Sequence, residues 1–196
     1  MLPFGRMSGQ KKEFLPLPSS LGQLTVLGSA VTAFASCTEI GSIVIAIKEG
    51  EEDIARSCLP RELQGSQGKI IFTIGGPSRR STVHKALLCL KEIEPTHVLV
   101  HDGARPWVSL NLIKQIIKAS ILNGAVIPVL PLVETPKELK TPGLRNDIGF
   151  IERHLRRESL YTAQTPQGFA YPDFLKAQEK AAEKEASDSI EYTDDA

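Results

Sequence analysis

Two near-continuous β-branched runs, Ile43-Val44-Ile45-Ala46-Ile47 and Ile70-Ile71-Phe72-Thr73-Ile74, constrain this chain more than any other feature. A strand with one wet face alternates apolar and polar residues. A run without alternation is expected where both faces are covered, as in a parallel strand flanked by helices. His97 to Val100 and Ala125 to Leu130 read the same way. Helical patterns lie between these runs. Val83, Leu87, Leu90 and Ile93 recur at helical spacing, and so do the pairs Leu112/Ile113, Ile116/Ile117 and Ser120/Ile121. Alternating strands and helices imply an α/β fold with a mostly parallel sheet and helices on both faces.

Local signals mark where these elements begin and end. Ser109 is placed to cap the helix that starts after it, and Asn123-Gly124 to stop it. Thr25 to Ala35 reads as an earlier helix, and Asp173 as the cap of a last one with a solvated Lys/Glu/Ala-rich surface. Leu132 to Ser159 breaks the pattern. It holds two prolines, two glycines and scattered charge, and it is long for a connection. Its second half, Ile148 to Arg157, has room for a short strand. Ile148, Phe150, Ile151 and Leu155 are too apolar for a loop in water, so this segment reads as carrying an interface.

The length of 196 residues suits a single domain spanning 1–196, and 41% hydrophobic residues are enough for a core. The 23 Lys and Arg balance the 23 Asp and Glu, so no global field points to nucleic acid or to a membrane surface. Anion binding must then come from local clusters. Cys37, Cys58 and Cys89 show no CxxC spacing, and Cys89 lies in a helical apolar pattern, where a buried free thiol is expected. A reducing cytoplasm fits. No long apolar stretch opens the chain, and Leu21 to Ala35 is interrupted by Gln23, Thr25, Ser29 and Thr32, too polar for a bilayer span.

The polar clusters sit at the ends of the predicted strands and in the stretch from Leu132 onward. After Val98-Leu99-Val100 comes His101-Asp102-Gly103-Ala104-Arg105-Pro106. An acid there can hold a metal or a ribose hydroxyl, and an arginine three residues on can hold a phosphate; ligands of open α/β sheets sit beyond the carboxyl ends of the strands. A charged surface turn is the competing reading. Gly75-Gly76-Pro77-Ser78-Arg79-Arg80-Ser81-Thr82 lies between a strand and a helix, where paired glycines allow close approach and a helix start suits an anion or a base edge. A serine-capped turn explains it as well. Gly5-Arg6-Met7-Ser8-Gly9-Gln10-Lys11-Lys12-Glu13-Phe14 sets cations among small residues, either a phosphate loop or an ordinary basic terminus. Val133-Glu134-Thr135-Pro136-Lys137 and Arg157 to Phe169 follow.

In this order and spacing the strings GRMSGQKKEF, GGPSRRST, HDGARP, ETPK and RESLYTAQTPQGF resemble the 2-C-methyl-D-erythritol 4-phosphate cytidylyltransferases of the non-mevalonate isoprenoid pathway. That family runs an R-M-G loop with P-K-Q or K-K-E, then G-G-x-x-R-x-x-S, H-D-A-A-R-P, D-T-x-K and R-x-x-L-x-x-x-Q-T-P-Q-x-F. The resemblance covers essentially the whole chain. It implies a Rossmann-like nucleotidyltransferase sheet with a protruding β-arm, and a homodimer interlocked through that arm, approximately 132–159. It implies that CTP and 2-C-methyl-D-erythritol 4-phosphate are joined, with Mg2+, by in-line attack of the substrate phosphate on the α-phosphorus. Catalysis is then mostly positioning and charge neutralisation.

The resemblance also assigns roles. Arg6 and Lys12 match the cations on the triphosphate and the developing phosphorane. Gly5, Gly75, Gly76 and Thr82 match nucleotide-binding positions, and Asp102 the acid on the ribose and metal side. Arg105, Thr135, Arg157 and Thr165 match positions that hold the polyol phosphate. The chain also departs from the family. The loop from Met7 to Lys12 is one residue short, which leaves Lys11 as a second candidate lysine. Pro77 stands where an acid is common, and Glu134 where Asp is. The family has a strand before the glycine-rich loop and a closing strand with a further lysine after the last helix, so a shortened copy is expected. Relatives acting on ribitol 5-phosphate, with H-D-S-V-R-P, are the same-class alternative; a truncated, non-catalytic relative is the other.

Overall fold

The computed structural model describes residues 11–18, 24–65, 69–140 and 148–188. Helix α1 (Val26–Ala35) starts at Thr25, whose hydroxyl oxygen accepts the Gly28 N–H at 3.0 Å. The same hydroxyl donates to the Cys58 carbonyl, so the cap also ties α1 to a distant segment. Strand β1 (Ile43–Ile47) is followed by the short helices α2 (Glu52–Ser57) and α3 (Arg61–Gln64) and then strand β2 (Ile70–Ile74). β1 and β2 pair in parallel, from Ile43 against Ile70 to Ile47 against Ile74. Helix α4 (Arg79–Leu88) is followed by β3 (His97–Val100), α5 (Leu110–Asn123) and β4 (Ala125–Val126). Ser109 caps α5 by accepting the Leu112 N–H, and Gly124 ends it at φ 78°, a conformation other residues resist.

The arm follows. β5 (Val129–Pro131), β6 (Lys137–Leu139), β7 (Ile151–His154) and β8 (Tyr161–Ala163) form two antiparallel ladders, β5 with β8 and β6 with β7. The residues of β5, β7 and β8 are exposed throughout. The chain returns in β9 (Gln167–Ala170), which lies antiparallel between β3 and β4, and ends in α6 (Tyr171–Asp188). β9 presses on α5: a Cβ at Gly168 would come within 2.8 Å of Ile116 Cγ2, so only glycine fits there.

The fold is therefore mixed α/β, but among the described residues only β1 and β2 pair in parallel. The expected strand over Ala125 to Leu130 is split into β4 and β5, because the chain leaves the β9 edge after Val126 to enter the arm. Asp173 lies inside the first turn of α6 and does not cap it; the helix begins at Tyr171. The buried thiols are Cys37 and Cys58, where burial pushes the thiol up; Cys89, expected inside, sits half-exposed at the end of α4.

The core has separate centres. Leu27 and Val31 of α1 pack with Ile45, Ile47, Cys58 and Leu59. On the other side Leu87, Val98, Phe169, Tyr171 and Phe174 form a second cluster, in which Phe169 stacks on Phe174 at 4.1 Å and 8°. Phe34, Cys37 and Ile113 bridge the halves, touching Ile43 of β1 and Leu99 of β3. Between β1 and β3 lies a cavity of about 1420 Å³, lined by every residue of both strands, by Leu27 and Val31 of α1 and by Val83 and Leu87 of α4.

Candidate active site

One end of this cavity is formed where β1, β2 and β3 run out. Lys48, Gly75, Gly76, Asp102 and Arg105 line it there, with Lys11. The Gly75-Gly76 loop is shaped by α4. Gly75 donates its N–H to the Ile47 carbonyl at 2.8 Å, and a Cβ at Gly76 would meet Ser81 Oγ at 2.1 Å. Glycine at 76 is thus required by the close approach of the helix itself. Ser78 and Ser81 complete a capping box at the start of α4. Thr82 donates its hydroxyl to the Ser78 carbonyl at 2.8 Å and accepts the Gly76 N–H at 2.9 Å, so it holds the loop against the helix.

Asp102 sits two residues beyond the end of the β3–β9 pairing, in a turn closed by the Arg105 N–H on its own carbonyl at 2.9 Å. Each carboxylate oxygen meets a guanidinium. Arg79 Nη1 is 2.9 Å from Oδ1, and Arg105 Nε is 2.9 Å from Oδ2. Burial alone would push this carboxyl up; the Arg105 hydrogen bond and the Arg79 charge outweigh it and hold the group below the usual carboxylate range. Arg105 also donates through Nη1 to Gln164 Oε1. Thr165 Oγ1 accepts the Asp102 N–H at 3.3 Å and lies 3.0 Å from His101 Nδ1. His101 Nε2 is 3.0 Å from the Arg105 carbonyl, and its ring rests against Phe34 at 5.0 Å. Burial pushes the imidazole below its ordinary value, more than the Arg105 carbonyl and the Asp102 charge raise it.

The structure therefore brings together Gly75, Gly76, Thr82, Asp102, Arg105 and Thr165. It does not bring Thr135 and Arg157 to the same place. Thr135 is exposed between β5 and β6, and Arg157, exposed in a short 3-10 turn, donates to the Val133 carbonyl at 3.2 Å. Gly5 and Arg6 lie outside the described residues. Of the two lysines, Lys11 lines the cavity and pairs with Glu51 at 2.6 Å, while Lys12 is exposed on the next turn. Arg79 and His101 were not among the residues read from sequence as site members. Both lie inside the motifs, but only folding shows that they grip Asp102 and Thr165.

Such a cluster suits a polyanion. Two arginines and two lysines line the cavity at the carboxyl ends of strands, with Asp102 pairing Arg79 and Arg105 and Glu51 pairing Lys11. Among the described residues no group of three or more His, Cys, Asp or Glu gathers as a metal cage, and no helix is long and apolar enough to cross a membrane.

Residues 5–196 match the family model described as IspD, 2-C-methyl-D-erythritol 4-phosphate cytidylyltransferase. The chain belongs to this family. It is 32% identical over 192 residues to the bifunctional enzyme IspD/IspF of Brucella abortus biovar 1 (strain 9-941), covering 98% of this chain and 46% of that protein. The bifunctional enzyme IspD/IspF of Mesorhizobium japonicum is 33% identical over 178 residues, 90% of this chain and 40% of that protein. The chain thus spans about half the length of the curated relatives it matches. Among solved structures, the 4-diphosphocytidyl-2C-methyl-D-erythritol synthase of Anaerococcus prevotii DSM 20548 superposes with a TM-score of 0.74 at 28% identity, over 89% of this chain and 70% of that one. The 2-C-methyl-D-erythritol 4-phosphate cytidylyltransferase of Thermus thermophilus gives 0.68 at 29% identity, over 94% and 75%. The IspD motifs are what gather at the end of β3, since Asp102, Arg105 and Thr165 come from the H-D-x-A-R-P and Q-T-P-Q strings.

Proposed function

We propose that this IspD-family chain is a cytidylyltransferase that joins CTP and 2-C-methyl-D-erythritol 4-phosphate, giving 4-diphosphocytidyl-2-C-methyl-D-erythritol and pyrophosphate. The observation that carries this is the meeting of Asp102 and Arg105 with Thr165, from a second motif 63 residues further along, beside the Gly75-Gly76 loop of a third. The substrate phosphate attacks the α-phosphorus of CTP and pyrophosphate leaves on the opposite side. Arg6 and a lysine neutralise the triphosphate and the phosphorane; the lining of the cavity favours Lys11 over Lys12 for that lysine. Gly5, Gly75, Gly76 and Thr82 belong to the nucleotide end, with Thr82 acting by fixing the loop. Arg105, Thr135, Arg157 and Thr165 serve the polyol phosphate.

Magnesium fits this site in one form. Each Asp102 oxygen meets a guanidinium and keeps a lone pair, and Mg2+ is commonly held by one or two carboxylates together with substrate phosphates. Asp102 would hold it alongside the triphosphate, where the ion supplies charge neutralisation. We also take residues 1–196 as one domain and the two halves as parts of a single Rossmann-like nucleotidyltransferase sheet. Supporting this, Phe34 and its cluster touch both β1 and β3.

The arm fits a symmetric homodimer. Val133 is 79% and Phe150 75% exposed, and Leu130, Ile148 and Tyr161 are also open to solvent, an apolar surface that water disfavours. A dimer would let Arg157 reach the partner subunit's site. The three free thiols suit a cytoplasmic enzyme. The test is pyrophosphate release from CTP with a panel of polyol phosphates. Turnover with 2-C-methyl-D-erythritol 4-phosphate above ribitol 5-phosphate is expected; the reverse order, or no turnover with any, overturns the assignment.

A further inference from the structure

A hydroxyl has one proton to give, and beside Thr165 the geometry offers one ring nitrogen to take it. His101 Nε2 faces the Arg105 carbonyl at 3.0 Å, and a carbonyl only accepts, so Nε2 carries the hydrogen. A ring that carries only this hydrogen has an acceptor at Nδ1. Thr165 Oγ1, 3.0 Å away, is placed to donate to it. The lone pairs left on Oγ1 accept the Asp102 N–H at 3.3 Å. The result is a chain of hydrogen bonds in one direction: Asp102 N–H to Thr165, Thr165 O–H to His101, His101 N–H to the Arg105 carbonyl. Phe34 supports the ring at 5.0 Å, and the charged groups facing it are Asp102 and Arg105.

We propose that His101 is a positioning residue for the polyol-phosphate end of the site. It accepts the Thr165 hydroxyl and donates to the Arg105 carbonyl, fixing the 101–105 turn to the segment that enters β9. Thr165 therefore serves the substrate by completing this frame, and Arg105, whose side chain the frame aims, makes the ionic contact to phosphate. The inference rests on the cytidylyltransferase reading for its kinetic arm and is independent of it for its spectroscopic arm.

The experiment compares His101→Phe, Thr165→Val, their double variant and His101→Asn in steady-state pyrophosphate release, beside nitrogen NMR of His101 in the ligand-free parental protein. Phenylalanine keeps the ring on Phe34 and removes both hydrogen bonds. We expect KM for the polyol phosphate to rise about tenfold while KM for CTP stays within about twofold. Thr165→Val should do the same, and the double variant should be no worse than either single one, because both break one unit. Asparagine offers an amide oxygen near the Nδ1 position and should recover most of the loss. NMR should show the hydrogen on Nε2 and none on Nδ1. Additive losses, an equal rise in both KM values, or no recovery by asparagine would overturn the positioning role. A parental protein without turnover would remove the cytidylyltransferase reading alone; a hydrogen on Nδ1 would remove the His101 inference whatever the turnover.

Discussion

The carboxyl end of β3 and the arm both carry residues from family motifs, but they hold them in opposite ways. At the end of β3 charge meets counter-charge within the chain: Asp102 is clasped by Arg79 and Arg105, and Thr165 is tied to His101. That half is ordered before any substrate arrives, which is where electrostatic catalysis gains most. In the arm, Arg157 and Thr135 stand exposed in the segments that join short ladders, among apolar side chains that face water. The first region is finished by the fold; the second has the composition of a surface awaiting another surface.

The largest effect should come from breaking the ordered half. Asp102→Ala frees the half-buried Arg79 and the exposed Arg105 guanidiniums from their shared partner. Turnover should fall about a hundredfold or more, and the melting temperature should drop with it. Steady-state kinetics beside thermal melts will show both; a fall in rate with an unchanged melting temperature would mean that the Arg79–Asp102–Arg105 clasp is not structural.

Arg157→Ala probes the other half. The side chain is exposed and leaves no cavity, so the melting temperature should stay put while KM for the polyol phosphate rises about tenfold and KM for CTP does not. A loss of stability here would erase the contrast between the regions. Phe150→Glu sharpens it further. On an exposed arm position it should leave the monomer fold intact and shift sedimentation at micromolar protein from dimer to monomer. A parental protein that already sediments as a monomer would leave the arm without its proposed partner.

The smallest effect concerns Lys11. Its ion pair with Glu51 is half-exposed, so little stability rests on it. Burial would push the Glu51 carboxyl up, but the Lys11 hydrogen bond and the Lys48 N–H hold it below its ordinary value of 4.5. A depressed carboxyl contributes fully above pH 4.5 and loses that contribution as pH falls through its folded value. Denaturant melts should therefore show a shallower acid-side loss in Glu51→Gln than in the parent. An identical acid slope would show that the pair contributes nothing.

Much of the local architecture was legible in the sequence. The runs at 43–47, 70–74 and 97–100 are strands with those bounds, because short runs rich in β-branched residues favour an extended chain. Ser109 and Gly124 act as read, since a cap depends on groups within four residues of it. The motifs were legible too, as strings. What stayed undecided depends on residues far apart meeting. The strand at Gln167–Ala170, hidden in the Q-T-P-Q-x-F string, is buried between two neighbours whose order no local pattern encodes. Lys11 and Lys12 differ by one position and cannot be told apart until the turn points one of them at the cavity. The order of residues settles most of the elements, their caps and the set of side chains that carry charge. Folding settles which of those charges share Asp102, which ring lies beside Thr165, and that Arg157 lies apart. Periods and caps are written in hydrogen bonds a few residues long, whereas partnerships across 23 to 64 residues exist only once the chain has closed on itself.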